Sequence, residues 1–563
     1  MGRGAALLLV GLDGATWAVA GPMIARGELP NLAALRRGGA SGGLRSTTPP
    51  MTLPAWSSAI TGTNPGKHGI FDFTARAPGG YSLRFTNATW RGVPTLFHLL
   101  SQRGARVASV AVPTTYPPEQ VNGVVISGFD SPVATRIDGS HVHPEGLYRQ
   151  LRDRFGGMAF ADFQELRVGP GWHEAARAAL LREVDRKERI VRWLMRQERW
   201  DALMVVFGET DTVAHHFWRF HDPHSPRAPA SASPSLRGAV EAVYRRADQA
   251  LGALIDEADA EVVVVLSDHG FGGASDRVLY LNRFLEAGGW LRYLRDSGGL
   301  RGHRVGSGAV DLAKGLALRH LPQRAVEGLV RRMPGALLGG IETRARYGDL
   351  DFPRTLAWSD EMNYAATLQL NLAGREPLGL ATDRDAAIAE ITEALLGWEV
   401  EGERVVAAVR RREALYHGPL VDRSADLVLE LTEPGGYAWT LLPSGQARRG
   451  QLHRRLAPDE LGGGKGLGMN GTHRSVGIWL QGGRGVAQGA SVDLDLIDVL
   501  PTAFAAWGEA IPDHVDGLVR QGAFAEVIRP QWTFFQGALP QERALSPEAE
   551  RQVRERLVSL GYL

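Results

Sequence analysis

Three acidic residues stand just beyond short apolar runs: Asp13 after LLLVGL, Asp211 after LMVVFGET and Asp268 after VVVVLS. Ligands of open α/β sheets bind beyond the carboxyl ends of the strands, so acids at three such ends can converge on one site. Any one of them alone could equally be a turn former or a helix cap. Asp211 and His215 lie four apart in DTVAH, which on a helix puts both on one face, able to clasp a single ion. His216, turned by about 100° on a 3.6-residue helix, points away and reads as a packing residue. His221 and His224 read as packing or surface histidines. The adjacent pair Asp268-His269 can reach one ion only from a bend, which Gly270 permits. His473, in MNGTHR after Gly462-Gly463-Gly464, falls in a stretch read as a loop. With no cysteine in the chain, thiolate nucleophiles, disulfides and cysteine-based metal sites are excluded, and an oxygen-and-nitrogen site needs such a histidine to complete it. Thr52 precedes a helical stretch, Pro54 to Thr61, that Gly62 closes. Its hydroxyl therefore sits at a helix N-terminus, where backbone N–H groups favour an anion, or it simply caps the helix.

The elements that must hold these groups are legible as alternating β and α patterns. Ala6 to Leu12, Leu203 to Phe207 and Val262 to Leu266 are continuous apolar runs suited to strands buried on both faces, with Arg106 to Val112 as a further strand. Helical patterns run from Asn31 to Arg37, Glu174 to Arg199 and Ala239 to Ala258. The alternation predicts an α/β fold with a doubly wound, mostly parallel central sheet. From Trp290 to Arg346 the pattern turns to Arg-rich, Gly-punctuated helices, with eleven basic against four acidic residues from Leu291 on, which reads as an inserted helical cap. The sheet is expected to resume through strands at Thr367 to Leu372, Val405 to Val409 and Asp426 to Leu431, with a helix at Asp383 to Leu396. Ser546-Pro547-Glu548 is a helix start for a C-terminal helix. The division expected is residues 1–280 as the first part of the core, 281–350 as the cap, 351–530 as the second part, and 531–563 as tail and helix.

Composition narrows the partners. Sixty-three basic residues against 62 acidic ones leave a net charge of +1, so no global field draws the chain to a nucleic acid duplex or a membrane surface. Only Lys67, Lys187, Lys314 and Lys465 are lysines, an arginine bias that fits a GC-rich bacterial genome. The apolar start is interrupted by Asp13, lacks a small-residue cleavage site, and no run reaches about 18 apolar residues, so a soluble, cytoplasmic protein is expected. Oligomeric state is not legible.

T-x-P followed by S-x-x-T-G-x-x-P-x-x-H-G-I, read at Thr52, Pro54, Ser58, Thr61, Gly62, Pro65, His68, Gly69 and Ile70, resembles the nucleotide pyrophosphatase/phosphodiesterases of the alkaline phosphatase superfamily. The remaining motifs follow in that family's order: Asp13-Gly14, D-x-x-x-H at Asp211 and His215, S-D-H-G at Ser267 to Gly270, and G-x-H at Gly471 and His473. The resemblance spans about residues 5 to 475, the cap excepted. It implies an alkaline phosphatase-like sheet and two divalent ions, zinc first and manganese second, one held by Asp211, His215 and His473 and the other by Asp13, Thr52, Asp268 and His269. It further implies that Thr52 attacks a small phosphate-ester substrate through a phosphothreonine intermediate. Asn371 to Gly379 (NLAGREPLG) and the stretch Asp498 to Gly517 resemble bacterial relatives of the superfamily and are expected to shape the fold.

One position departs from the family's pattern. Three residues after Thr52 stands Ala55 in place of asparagine, so an amide donor to a phosphoryl oxygen is missing there. Backbone N–H groups at the helix start, Lys67, Lys465 or Asn470 are the candidate substitutes. A sulfatase is excluded because Thr52-Leu53-Pro54-Ala55-Trp56 fails C/S-x-P-x-R at both ends. A phosphoglycerate mutase would carry serine and an insertion soon after it. The reading is a two-metal phosphodiesterase or nucleotide pyrophosphatase; a phosphomonoesterase on the same scaffold and a non-catalytic phospho-ligand binder are the alternatives.

Overall fold

The computed structural model describes residues 4–76, 79–128, 139–156, 171–294, 347, 349–361, 365–462 and 469–534. At its centre is a ten-stranded sheet, and its innermost strands are the predicted apolar runs. Gly4–Leu12 lies between Val262–Leu266 and Arg199–Phe207 and pairs parallel with both. Val107–Val112 and Gly123–Ser127 continue the parallel order beyond Arg199–Phe207. The registers place Leu12 opposite Phe207 and Gly11 opposite Leu266, so three neighbouring strands end level. The residues that follow them must emerge along one edge.

Helices cover both faces, which is why the central strands read as unbroken apolar runs rather than alternating ones. On one face Trp172–Gln197, Glu209–His221 and Ala239–Ala258 pack a core that includes Val184, Leu194, Val213, Val243 and Leu254. Ala239–Ala258 buries Val240, Val243, Ala247, Leu251 and Leu254, the three-to-four spacing of one helical face. The opposite face is covered by Thr52–Thr61, Leu96–Gln102 and Val499–Trp507. No helix among the described residues is long and apolar enough to cross a membrane.

Two expectations fail here. The strands after the insertion do not resume the central sheet. Ala357–Trp358, Thr367–Leu370, Leu427–Leu431 and Val406–Arg411 form a separate antiparallel four-stranded sheet with its own apolar core, which includes Trp290, Trp358 and Leu395. Arg384–Leu396 contributes to that core, capped by Asp383, whose side chain accepts from Ala386 N–H at 3.0 Å. Among the described residues after the insertion, only Val476–Gly483, antiparallel to Val262–Leu266, and the short strands Ala490–Ser491 and Leu494–Asp495 return to the main sheet. Nor is the segment around His473 a loop: Gly471–Arg474 is a strand, paired antiparallel with Gly270–Leu279 so that His473 lies opposite Phe271. Most of the expected cap, residues 295–346, and the C-terminal helix lie outside the described residues.

The stretches read as fold-shaping serve in that way. Asn371 donates its amide to the carbonyls of Phe352, Thr355 and Leu378, Arg375 forks onto Asp426, and Glu376 pairs with Arg76 of the first part of the chain. Asp516 binds Asn64 and Lys67, tying the segment after Val499–Trp507 to the turn after Thr52–Thr61.

Candidate metal centre and nucleophile

Asp13 leaves its strand with its N–H still bonded to Phe207 O, and Gly14 follows at φ +64°. A side chain at Gly14 would meet Phe271 at 2.9 Å and the Asp211 backbone at 3.2 Å, so only glycine fits this turn. The Gly14 N–H donates to Asp268 Oδ1 at 3.1 Å, which joins two strand ends directly. Asp211 and His215 lie on the first turns of Glu209–His221 and face the same way. His216 points elsewhere, packing edge-on against Trp172. His221 pairs with Glu241 at 3.0 Å, and His224 is exposed.

Six of the residues singled out in sequence fall into two buried groups, Asp211 with His215 and His473, and Asp13 with Asp268 and His269. In the first, His215 Nε2 lies 3.2 Å from Asp211 Oδ1, His473 Nε2 lies 3.4 Å from the same oxygen, and the two imidazole nitrogens are 3.0 Å apart. These separations approach the roughly 3.3 Å edge of a tetrahedron with metal–ligand bonds of about 2.0–2.1 Å. In the second, His269 Nε2 lies 3.2 Å from Asp268 Oδ2 and 3.8 Å from Asp13 Oδ1. The rings of His269 and His473 stack with centroids 3.6 Å apart, so the two groups are immediate neighbours.

Tautomers decide what these imidazoles can do. His215 Nδ1 faces the carbonyl of Gly471 at 2.9 Å, His473 Nδ1 that of Pro50 at 2.8 Å, and His269 Nδ1 that of Gly270 at 3.0 Å. A carbonyl can only accept, so each Nδ1 carries the proton and donates, and each Nε2 is left as a lone pair. Two lone pairs 3.0 Å apart repel unless both are directed at one cation. Three carboxylate oxygens and the third imidazole nitrogen are in the same position: Asp13 Oδ1, Asp211 Oδ1, Asp268 Oδ2 and His269 Nε2 are buried without a hydrogen-bond partner. Buried polar atoms are ordinarily satisfied, and these four are turned into the two groups.

Charge balance points the same way. Burial raises the Asp268 carboxyl to about 8 and holds His269 down to about 4. Asp13 is likewise pushed well up, by burial first and then by the Asp268 charge beside it. A divalent cation supplies the charge that lets the buried acids stay ionised. The residues present therefore fit a pair of divalent ions.

Thr52 is the first residue of the helix Thr52–Thr61, and the N-cap position falls to Met51, with extended backbone and no side-chain cap bond. The capping role open from sequence is thus not the one Thr52 occupies. Pro54 has no N–H and Ala55 N–H is bonded to Met51 O, so the amides of Thr52 and Leu53 are the first-turn donors that the helix does not use. Two contacts fix the segment. Pro50 O receives His473 Nδ1–H, and Trp56 Nε1–H donates to Asp13 Oδ2 at 3.1 Å, so Thr52 lies between a tether to each group. The motif beyond it stabilises the turn: His68, buried and held down to about 3 chiefly by burial, accepts from Ile70 N–H and donates to Ser58 Oγ.

The candidate phosphoryl donors divide. Lys67 is engaged with Asp516 at 2.6 Å and with His514 O at 2.9 Å. Asn470 gives its backbone N–H to His215 O and its side-chain amide to His216 O, with Oδ1 buried and unpartnered. Lys465 lies outside the described residues. Neither the Pro50, Gly270 and Gly471 carbonyls that face the imidazoles nor the Trp56–Asp13 bond is legible in the sequence, since neither a backbone acceptor nor a contact across 43 residues leaves a pattern in a single chain.

A doubly wound sheet with this cluster at the carboxyl ends of its strands defines an alkaline phosphatase-like α/β protein. Consistent with that fold, the chain is similar to phosphonoacetate hydrolase from Sinorhizobium meliloti 1021, crystallised with phosphonoformate, at 18% identity and a TM-score of 0.51, over 90% of this chain and 96% of that one. Human ectonucleotide pyrophosphatase/phosphodiesterase 5 aligns at 13% identity and a TM-score of 0.46, over 91% and 97% of the two chains. No curated protein matches the sequence. The family model for type I phosphodiesterase/nucleotide pyrophosphatase matches residues 7–440, and the chain belongs to that family, whose members are phosphoester hydrolases of the phosphodiesterase/pyrophosphatase type.

Proposed function

We propose that the protein hydrolyses small phosphodiesters or pyrophosphates with two divalent ions and Thr52 as nucleophile. The observation that carries this reading is the placement of Thr52 at a helix start tethered on one side to His473 and on the other to Asp13. Asp211, His215 and His473 would hold one ion; Asp13, Asp268, His269 and Thr52 would hold the other. Carboxylate and imidazole donors suit zinc or manganese, and the likeness to the family puts zinc first. Bound ions would supply positive charge on both sides of the phosphorus and lower the pKa of the threonine hydroxyl and of the attacking water.

The chain's own part follows from the geometry. Thr52 gives up its proton to solvent and attacks phosphorus in line, the P–O bond to the leaving group breaks with its electron pair, which leaves on the departing oxygen, and a phosphothreonine forms. The Thr52 and Leu53 amides donate to a non-bridging oxygen, the role that Ala55 cannot fill. Water entering from the leaving-group side then cleaves the phosphothreonine and restores Thr52.

The test is zinc- or manganese-dependent hydrolysis of bis-p-nitrophenyl phosphate beside p-nitrophenyl phosphate, with wild type and Thr52→Ala in parallel. Preference for the diester, with loss of turnover in a folded, metal-loaded variant, supports the reading. Turnover of the monoester alone makes the chain a phosphatase on the same scaffold. Near wild-type turnover in Thr52→Ala removes Thr52 as nucleophile.

A further inference from the structure

The second ion site carries a feature that the seven expected ligands do not explain. Trp56 is fully buried, four residues after Thr52 and so on the same face of the helix. Its ring crosses the strand Gly4–Leu12 at Gly11: a Cβ built there would lie 2.4 Å from Trp56 Cη2 and 3.1 Å from Cζ3. Gly11 and Asp13 share a side of the extended chain, so an indole laid over Gly11 has its N–H directed at Asp13. The bond falls on Oδ2 at 3.1 Å, whereas Oδ1, turned toward His269, has no hydrogen bond.

A free carboxylate can turn about its Cβ–Cγ bond and offer either oxygen, or both, to a cation. Engaging Oδ2 removes that freedom. From this geometry we infer that Trp56 is a positioning residue for the ion at Asp13, Asp268 and His269, presenting Asp13 through Oδ1 alone, with Gly11 making room for the ring. The inference rests on the two-ion reading proposed above. It also gives Trp56 a reason to be tryptophan, since phenylalanine fills most of the same space without an N–H.

The experiment is a zinc titration of the full-length protein against a competing chelator, wild type beside Trp56→Phe. Wild type is expected to bind two ions. Partners that orient metal ligands are worth about 10–100-fold in affinity, so Trp56→Phe is expected to weaken one site by that factor and leave the other unchanged. A general packing defect would instead weaken both sites together, and that result, or unchanged affinity at both, overturns the inference. Wild type that binds no zinc overturns the two-ion reading as well. Should the phenylalanine variant fail to fold, wild type carrying 15N-labelled tryptophan is titrated: movement of an indole N–H resonance with zinc is expected, and a spectrum in which none moves overturns the proposal.

Discussion

Replacing His473 by alanine separates a metal ligand from a residue that only fills space. The imidazole supplies one edge of the Asp211 group, with Nε2 3.0 Å from His215 Nε2 and 3.4 Å from Asp211 Oδ1. Groups that merely orient ligands are worth up to about 100-fold in affinity, so losing a direct donor sets a floor near that figure. At an ion concentration 100-fold above the wild-type Kd, binding stabilises the folded protein by about 2.7 kcal/mol. A variant weakened 100-fold is then half occupied and gains about 0.4 kcal/mol, so about 2.3 kcal/mol of zinc-dependent stabilisation disappears. Metal content after desalting, read with denaturant unfolding in zinc and in chelator, checks both halves: one ion retained instead of two, and a gap between wild type and variant that narrows in chelator. Two ions retained with unchanged zinc-dependent stability would remove His473 from the ligand set and refute the tautomer argument on which it rests.

Two further outcomes follow from single residues. Glu361 is half-buried and accepts from Asn282 N–H and from the hydroxyl and N–H of Ser444, yet desolvation outweighs those bonds and raises its carboxyl to about 7 from 4.5. The folded state therefore keeps a proton that the unfolded state has lost, and stability falls as pH rises from about 4.5 to 7, by about 3 kcal/mol; in Glu361→Gln, unfolding measured across that window should lose this slope, and an identical slope would contradict it. Gly14→Ala places a side chain at φ +64° and 2.9 Å from Phe271, so it should cost about 1–3 kcal/mol of stability in metal-free protein and weaken the ion held by Asp13; unchanged unfolding and unchanged zinc binding would show that the turn is not constrained.

The candidate ligands were legible where chemistry coincides with a local pattern. Val262–Leu266 announces a buried strand by composition, and an acid two residues beyond it needs no partner to be noticed. Asp211 and His215 share a turn, so helical spacing alone aligns them. His473 had neither advantage. Its strand is four residues long and glycine-bearing, and its partner Gly270–Gly273 is about 200 residues away, so nothing local marks Gly471–Arg474 as extended. The strands of the second sheet failed for a related reason: Thr367–Leu370 and Leu427–Leu431 look like any half-buried strands, and which sheet they join is settled by pairing between distant segments.

Orientation was harder to read than identity, and the cause is physical. Which residues can bind a cation is a property of side chains and is written in the sequence. Which nitrogen each histidine presents is set by a carbonyl, and Pro50, Gly270 and Gly471 could supply that carbonyl as almost any residue with the same backbone path. Those paths are themselves constrained: Gly270 and Gly471 sit in paired strands where an added Cβ would fall 1.9 Å from Val476 O and 2.6 Å from Ala214 O. The glycines around the histidines are therefore conditions for the close strand approach that brings Gly471 O to His215 and keeps Gly270 O on its neighbour His269. A substitution there would leave every ligand in place and still turn the lone pairs away from the ion.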